Sequence, residues 1–290
     1  MFRRKRFRLR LRSRALVLGE RTLIMGVLNV TPDSFSDGGA YLDSEAAIAR
    51  ALALEQEGAD ILDIGGESTR PGATPIAVEE EQRRVLPVIE GVRGKLRIPI
   101  SVDTRRAAVA KAALDAGAEI VNDVSGLKAD PHLAMVARRT RAPLIVMHMR
   151  GTPQTMQKKP FARDVLQNVL SGLRASIAIA RRSGVARSHL LVDPGIGFGK
   201  SHEQNFELLG RLPELARLGC PIVVGTSRKA FLGEALAKPG EPPLAPEERL
   251  LGTAATVTAA ILGGAHIVRV HDVAEMARVA RIADRIVESC

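Results

Sequence analysis

From Leu23 to the C-terminus, short apolar runs alternate eight times with polar turns and longer helical patterns. The runs are "LIMGVLNV", "ADILDIGG", "PISVDT", "AEIVNDV", "PLIVMHM", "HLLVDPG", "PIVVGTS" and "AHIVRVHD". They are short and rich in Val and Ile, as expected of parallel strands buried on both faces. Between them lie amphipathic stretches such as "DVLQNVLSGLRASIAIARRSG", in which Val165, Val169, Leu173 and Ile177 recur every fourth residue and Gly184 supplies a stop. Eight strand–helix units in one chain predict an α/β protein closed into a (β/α)8 barrel, with an open doubly wound sheet as the alternative.

Each apolar run ends on a side chain able to ionise or hydrogen-bond: Asn29, Asp63, Asp103, Asn122, His148, Asp193, Ser227, then Arg269 with His271. Such groups are costly at the ends of buried strands unless they are paired. One such Asp, Asp63 or Asp103 taken alone, reads most simply as a helix cap. In a barrel all eight ends converge on the face where ligand sites are built, and capping does not explain a full ring. Loops at that face add chemistry. "TSRK", Thr226 to Lys229, places cations and hydroxyls at the entrance of a helix beside Arg269 and His271, a corner suited to phosphate. Arg269 is also open to a plainer reading, an ion pair with an aspartate across the ring. "TPDSFSDGG" and "GGESTRPGATP" combine glycines with polar groups in the manner of lids. Phe35 and Phe198 lie in such loops and read either as ligand contacts or as packing on the rim.

Composition changes this picture little. The chain of 290 residues is 46% hydrophobic, enough for one large core, and no apolar run is long enough to span a membrane. The basic N-terminus lacks the apolar region of a signal peptide, and Cys220 and Cys290 build neither a disulfide framework nor a metal site, so a cytoplasmic protein is expected. The formal charge of +10 is concentrated in residues 1–21, which carry nine Lys or Arg against Glu20. That arm admits an RNA-binding reading. Its alternation of Leu with Arg, and a two-residue turn at Gly19-Glu20, favour instead an edge hairpin with solvated arginines. The expected division is an arm over 1–21 and a barrel over 22–290.

The motifs "MGVLNVTPDSFSDGG", "ILDIGGESTRPGA", "SVDT", "VNDVSG", "MHMRGTPQTMQ", "LLVDPGIGFGK", "GTSRK" and "ERLLGTAATVTAAILGGAHIVRVHDV" occur in that order, and together they resemble the dihydropteroate synthases. The resemblance begins near Met25 and leaves the basic arm outside. It implies a pterin-binding TIM barrel that joins 6-hydroxymethyl-7,8-dihydropterin diphosphate to p-aminobenzoate, with Mg2+ as cofactor and a homodimer as the assembly. By the same resemblance, Asp103, Asn122, Asp193 and Lys229 hold the pterin. Asn29, Thr69, Arg269, Val270 and His271 hold the diphosphate, and Asn29 also reaches the metal. Thr69, Arg70, Pro71, Phe198 and Ser227 form the aminobenzoate pocket. Asp33, Phe35 and Asp37 join Lys229 and Arg269 as catalytic residues, shielding a cationic intermediate from water. One position departs from the pattern: Ala230 stands where relatives often carry Ser, which predicts weaker aminobenzoate binding.

Three rival readings remain at this stage. A barrel methyltransferase for a methylated reduced folate shares the pterin positions but has no need of the "TSRK" and "RVH" groups. A metal-dependent hydrolase lacks its usual histidine pair, since the first strand ends "NVT". RNA binding finds few stacking aromatics in the arm, so no nucleic-acid or membrane partner is expected.

Overall fold

A computed structural model describes residues 4–31, 39–158 and 162–289. Its main sheet has eight parallel strands: β3 (Leu23–Asn29), β4 (Ile61–Gly65), β5 (Ile100–Asp103), β6 (Ile120–Asp123), β7 (Leu144–Met147), β8 (Leu190–Asp193), β9 (Val223–Val224) and β10 (Ile267–Val270). Hydrogen bonding runs in the order β8-β7-β6-β5-β4-β3-β10-β9. A parallel bridge between Val192 and Ile222 joins the two ends and closes the barrel, which rules out the open sheet. The helices packed outside include α1 (Gly39–Gln56), α2 (Val78–Val92), α3 (Ala107–Ala116), α4 (His132–Thr140), α5 (Val165–Arg182), α6 (His202–Gly210), α7 (Ala230–Leu236), α8 (Leu250–Leu262) and α9 (Val273–Glu288). In α5 the four-residue repeat is the buried stripe, and Asp164 caps the helix by accepting from the Gln167 amide at 3.0 Å.

Strand alternation divides the core in two. Outward residues such as Leu62, Val102, Val146, Val192 and Val270 pack against the helices. Inward residues at the strand starts, among them Met25, Ile61, Ile120, Ile145, Leu191 and Ile267, form a second apolar layer inside the barrel. That layer is capped from below by the N-terminal arm.

The arm is a hairpin, but not the one expected. β1 (Phe7–Arg10) pairs antiparallel with β2 (Ala15–Leu18), so the turn falls at residues 11–14 and Gly19-Glu20 only leads into β3. The hairpin forms its own two-stranded sheet rather than an edge of the barrel. The register places Phe7, Leu9, Leu16 and Leu18 on one face, and Leu9 and Leu18 are buried in the barrel floor. Burial of this leucine face outweighs the local turn signal, at roughly 1.5–3 kcal/mol per fully buried Leu. Arg8, Arg10 and Arg12 are exposed as expected. Arg4 is not: it is buried, pairs with Asp284 of α9, and donates to Thr22 Oγ1 at 2.6 Å.

Candidate active site at the C-terminal mouth of the barrel

Two residues further along each inner face, the apolar layer gives way to polar groups. Ile61 is followed by Asp63, Ile120 by Asn122, Leu191 by Asp193, and Ile267 by Arg269. A period of two keeps each pair pointing inward, so these side chains must meet near the axis. They do. Arg269 donates from Nε to Asp63 Oδ2 at 2.6 Å and from Nη2 to Asp103 Oδ2 at 2.7 Å. Asn122 Nδ2 donates to the same Asp63 oxygen at 3.0 Å. The plain reading of Arg269 as an ion-pair partner is thus correct as far as it goes. Its Nη1 has no partner among the described residues, so the guanidinium keeps a donor for a ligand.

Above this cluster opens a cavity lined by Asn122, Asp193, Ser227, Lys229, Arg269 and His271 together with Val124, Met147, Ile196 and Phe198. Polar groups on one side and thioether and aromatic surface on the other suit a flat heterocycle that carries an anionic tail. Lys229 Nζ lies 4.0 Å from the centre of the Phe198 ring, a cation–π contact that accounts for Phe198 as part of the wall. Burial lowers the Lys229 ammonium to about 8, with help from Arg269. Burial pushes the Asp193 carboxyl up to about 6, against the pull of the Gly195 amide, which donates to Oδ1 at 2.6 Å, and of Lys229. Burial also raises Asp103, opposed by Arg269. His271 falls to about 3 through burial and the neighbouring Arg269, Arg228 and Lys229, so its ring is neutral. Its Nδ1 stands 3.0 Å from Ser227 Oγ, which can donate to it and leave Nε2–H for a ligand.

Other expected residues fall elsewhere. The Val270 side chain is in the outer core, so only its backbone faces the mouth. Thr69, Arg70 and Pro71 belong to the loop after β4 but do not line the cavity, and Arg70 and Pro71 are exposed. That loop is anchored by Glu67, which accepts from Arg105 and Arg106, and it touches the loop after β7 where the Gly72 amide donates to Pro153 O at 3.0 Å. Arg228 of "TSRK" turns away from the cavity to pair with Asp272. His148 also leaves the polar ring: a Cβ on Gly172 of α5 would stand 2.5 Å from its ring, so the imidazole points outward. Asp33, Phe35 and Asp37 lie outside the described residues.

Two site residues escaped the sequence reading. Asp63 stands in the polar ring of strand ends but is given no role by the sequence; it is fully buried and anchors both Arg269 and Asn122. Lys200, the last residue of "DPGIGFGK", is buried beneath the cavity wall. A lysine in such an apolar, glycine-rich segment was the available signal.

Asn29 ends β3 half-buried at the same face and offers one neutral oxygen. Among the described residues no group of His, Cys, Asp or Glu is arranged to cage a metal. A cation held by Asn29 must keep most of its coordination for water and ligand oxygens, a donor set that fits Mg2+.

Comparison with known proteins identifies the family. The pterin binding enzyme family matches residues 25–271. Dihydropteroate synthase from Synechocystis sp. is 50% identical over 268 residues, 92% of this chain and 91% of that protein. A structure of the Xanthomonas albilineans dihydropteroate synthase with 4-aminobenzoic acid matches at 44% identity with a TM-score of 0.88, covering 97% of this chain and 98% of that one. A structure of the enzyme from the same organism in complex with 7,8-dihydropteroate matches at 41% identity with a TM-score of 0.85, covering 96% and 98%.

Proposed function

The chain belongs to the pterin binding enzyme family, and from that premise we propose that it catalyses the dihydropteroate synthase reaction. It condenses 6-hydroxymethyl-7,8-dihydropterin diphosphate with p-aminobenzoate, releasing pyrophosphate and forming 7,8-dihydropteroate. The observation that carries this reading is the meeting of Asn122, Asp193, Lys229, Arg269 and His271 in one cavity at the barrel mouth.

In this reading Asp193 accepts two N–H bonds from the pterin edge, while Asn122 and Lys229 serve its carbonyl and ring nitrogens. Asp103 completes the floor of the pterin site and, with Asp63, holds Arg269 in place. Arg269 and neutral His271 donate to the diphosphate, with the Val270 backbone, Thr69 and Asn29 around it. Asn29, with substrate oxygens, would hold Mg2+, which would supply neutralisation of the leaving-group charge. The bond to pyrophosphate breaks first, and the pterin ring delocalises the cation left on its methylene. The carboxylates of Asp33 and Asp37 are assigned to offsetting that charge and Phe35 to excluding water, a role taken from the sequence resemblance. The arylamine then attacks as the neutral base beside Phe198 and Ser227, with Thr69, Arg70 and Pro71 contributed by the loop after β4, which stands outside the cavity in this structure. Ala230 opens α7 beside it without a hydroxyl for the benzoate carboxylate.

The test is incubation with pterin diphosphate, Mg2+ and p-aminobenzoate, scored for pyrophosphate. The wild-type chain turns over, and Asp193→Asn loses pterin affinity. Absence of pyrophosphate release in the wild-type chain rejects the reading.

The same reading makes the protein a cytoplasmic homodimer. Cys220 is a free, buried thiol, compatible with a reducing compartment. Leu251 of α8 is 79% exposed, and Phe206 of α6 and Leu236 of α7 are exposed on helices that pack against α8. These residues offer an apolar face to a second copy, which light scattering can detect.

A further inference from the structure

The loop Pro194–Lys200 leaves β8 directly after Asp193 and folds back over the end of β7. Gly195 makes the return possible: its φ is +66°, and a Cβ there would stand 2.0 Å from His148 O. The loop ends on Lys200, whose side chain is 1% exposed. Its amine donates to Gly195 O at 2.8 Å, Phe198 O at 3.0 Å and His148 O at 3.2 Å, and it faces His148 Nδ1 at 3.1 Å. Every one of these partners is neutral. A buried ammonium held only by dipoles is an expensive way to fasten a loop, since a neutral donor makes the same bonds without desolvating a charge.

What the charge adds is visible from its neighbours. The loop residues it grips are those that build the cavity: the Gly195 amide fixes Asp193 Oδ1, and the Phe198 ring lies under Lys229. Resting on the dihydropteroate synthase reading, we propose that Lys200 is a positioning residue for the transferase reaction, clamping the Pro194–Lys200 loop to β7 and placing a positive charge behind the carboxylate of Asp193. Three groups act together on that carboxylate from different elements: Lys229 after β9, Arg269 on β10, and Lys200. Around Lys200 itself stand Asp193, which favours its charge, and Lys128, Lys229 and Arg150, which oppose it. His148, buried beside Lys200, Lys128 and Arg150, is held to about 2 by burial and these cations, so it stays an acceptor. Burial also brings the Lys200 ammonium down to about 7.

The test separates the clamp from the charge with two variants. Lys200→Gln keeps N–H donors for the loop carbonyls and removes the charge; Lys200→Met removes both. Each is compared with the wild-type chain for KM of both substrates and for the pH profile of kcat/KM toward pterin diphosphate, after its fold is checked by circular dichroism. In both variants the acid limb of the profile moves to higher pH by about one unit, as expected when a nearby unit charge is withdrawn in a medium of intermediate dielectric. The aminobenzoate KM stays within about twofold in Lys200→Gln and rises about tenfold or more in Lys200→Met, where Phe198 is no longer held. A purely structural lysine would lower stability without moving the acid limb. An unmoved acid limb in folded Lys200→Gln overturns the proposal, even where Lys200→Met fails to fold. A wild-type chain without pyrophosphate release rejects the functional reading instead, so the two failures are distinguishable.

Discussion

The two ends of the barrel are built from the same strands by the same alternation, yet they do opposite things. At the lower end the inward positions are Ile61, Ile120, Leu191 and Ile267, sealed from water by Leu9 and Leu18 of the hairpin. At the upper end, two residues on, the inward positions are Asp63, Asn122, Asp193 and Arg269. The lower layer gains stability from burial that needs no partner. The groups of the upper layer need partners: Arg269 satisfies two carboxylates, Asp63 serves two donors, and Asp193 accepts from the Gly195 amide. Inside the barrel, the difference shows that buried charge is gathered at the end where a ligand will use it.

That contrast can be broken from either end. The largest effect is expected for Asp63→Ala, which strips Arg269 and Asn122 of a shared acceptor and should cost about 3–5 kcal/mol of unfolding free energy, together with most activity. Chemical denaturation and pyrophosphate release measure both. Leu18→Ala at the floor should cost about 2–5 kcal/mol through lost burial and the cavity left behind, with both KM values unchanged. A KM shift there would mean that the ends are coupled.

The pH response sharpens the comparison, since the inward side chains of the upper layer titrate and the aliphatic ones of the lower layer do not. Asp193 must be ionised to accept two pterin N–H bonds and Lys229 must be protonated to donate, so kcat/KM should fall below about pH 6 and above about pH 8. Stability carries the opposite sign on the acid side. The Asp193 carboxyl is raised in the folded chain, so the folded state binds this proton more tightly, and its contribution to stability is lost as pH rises through about 6. A flat activity profile between pH 5 and 9 would contradict these assignments. The smallest effect is expected for Ala230→Ser, which restores one hydroxyl at the start of α7 and should lower the aminobenzoate KM roughly twofold to tenfold, the worth of one solvent-accessible hydrogen bond. An unchanged KM would show that the benzoate carboxylate does not reach this position.

Much of the upper end was legible because strand periodicity is local. The runs "ADILDIGG", "AEIVNDV" and "HLLVDPG" each show an apolar segment ending on a polar side chain, and their number favours a barrel, whose closure the Val192–Ile222 bridge then decides. His148 was misplaced because a strand end does not tell which way the next side chain turns, and its outward path depends on the open space over Gly172 of a distant helix. The hairpin turn was misplaced because Gly19-Glu20 is a good local signal, overruled by a leucine face that seals the barrel floor.

The sequence by itself determined the order of strands and helices and the set of polar groups delivered to one face, because the backbone repeats of strand and helix depend on neighbours in the chain. Only the tertiary structure decided who pairs with whom. Arg269 meets Asp63 across 206 residues, Lys200 reaches His148 across 52, and Arg4 finds Asp284 across 280. Such pairings follow from the cost of burying charge in a closed barrel, and that cost exists only once the chain has closed.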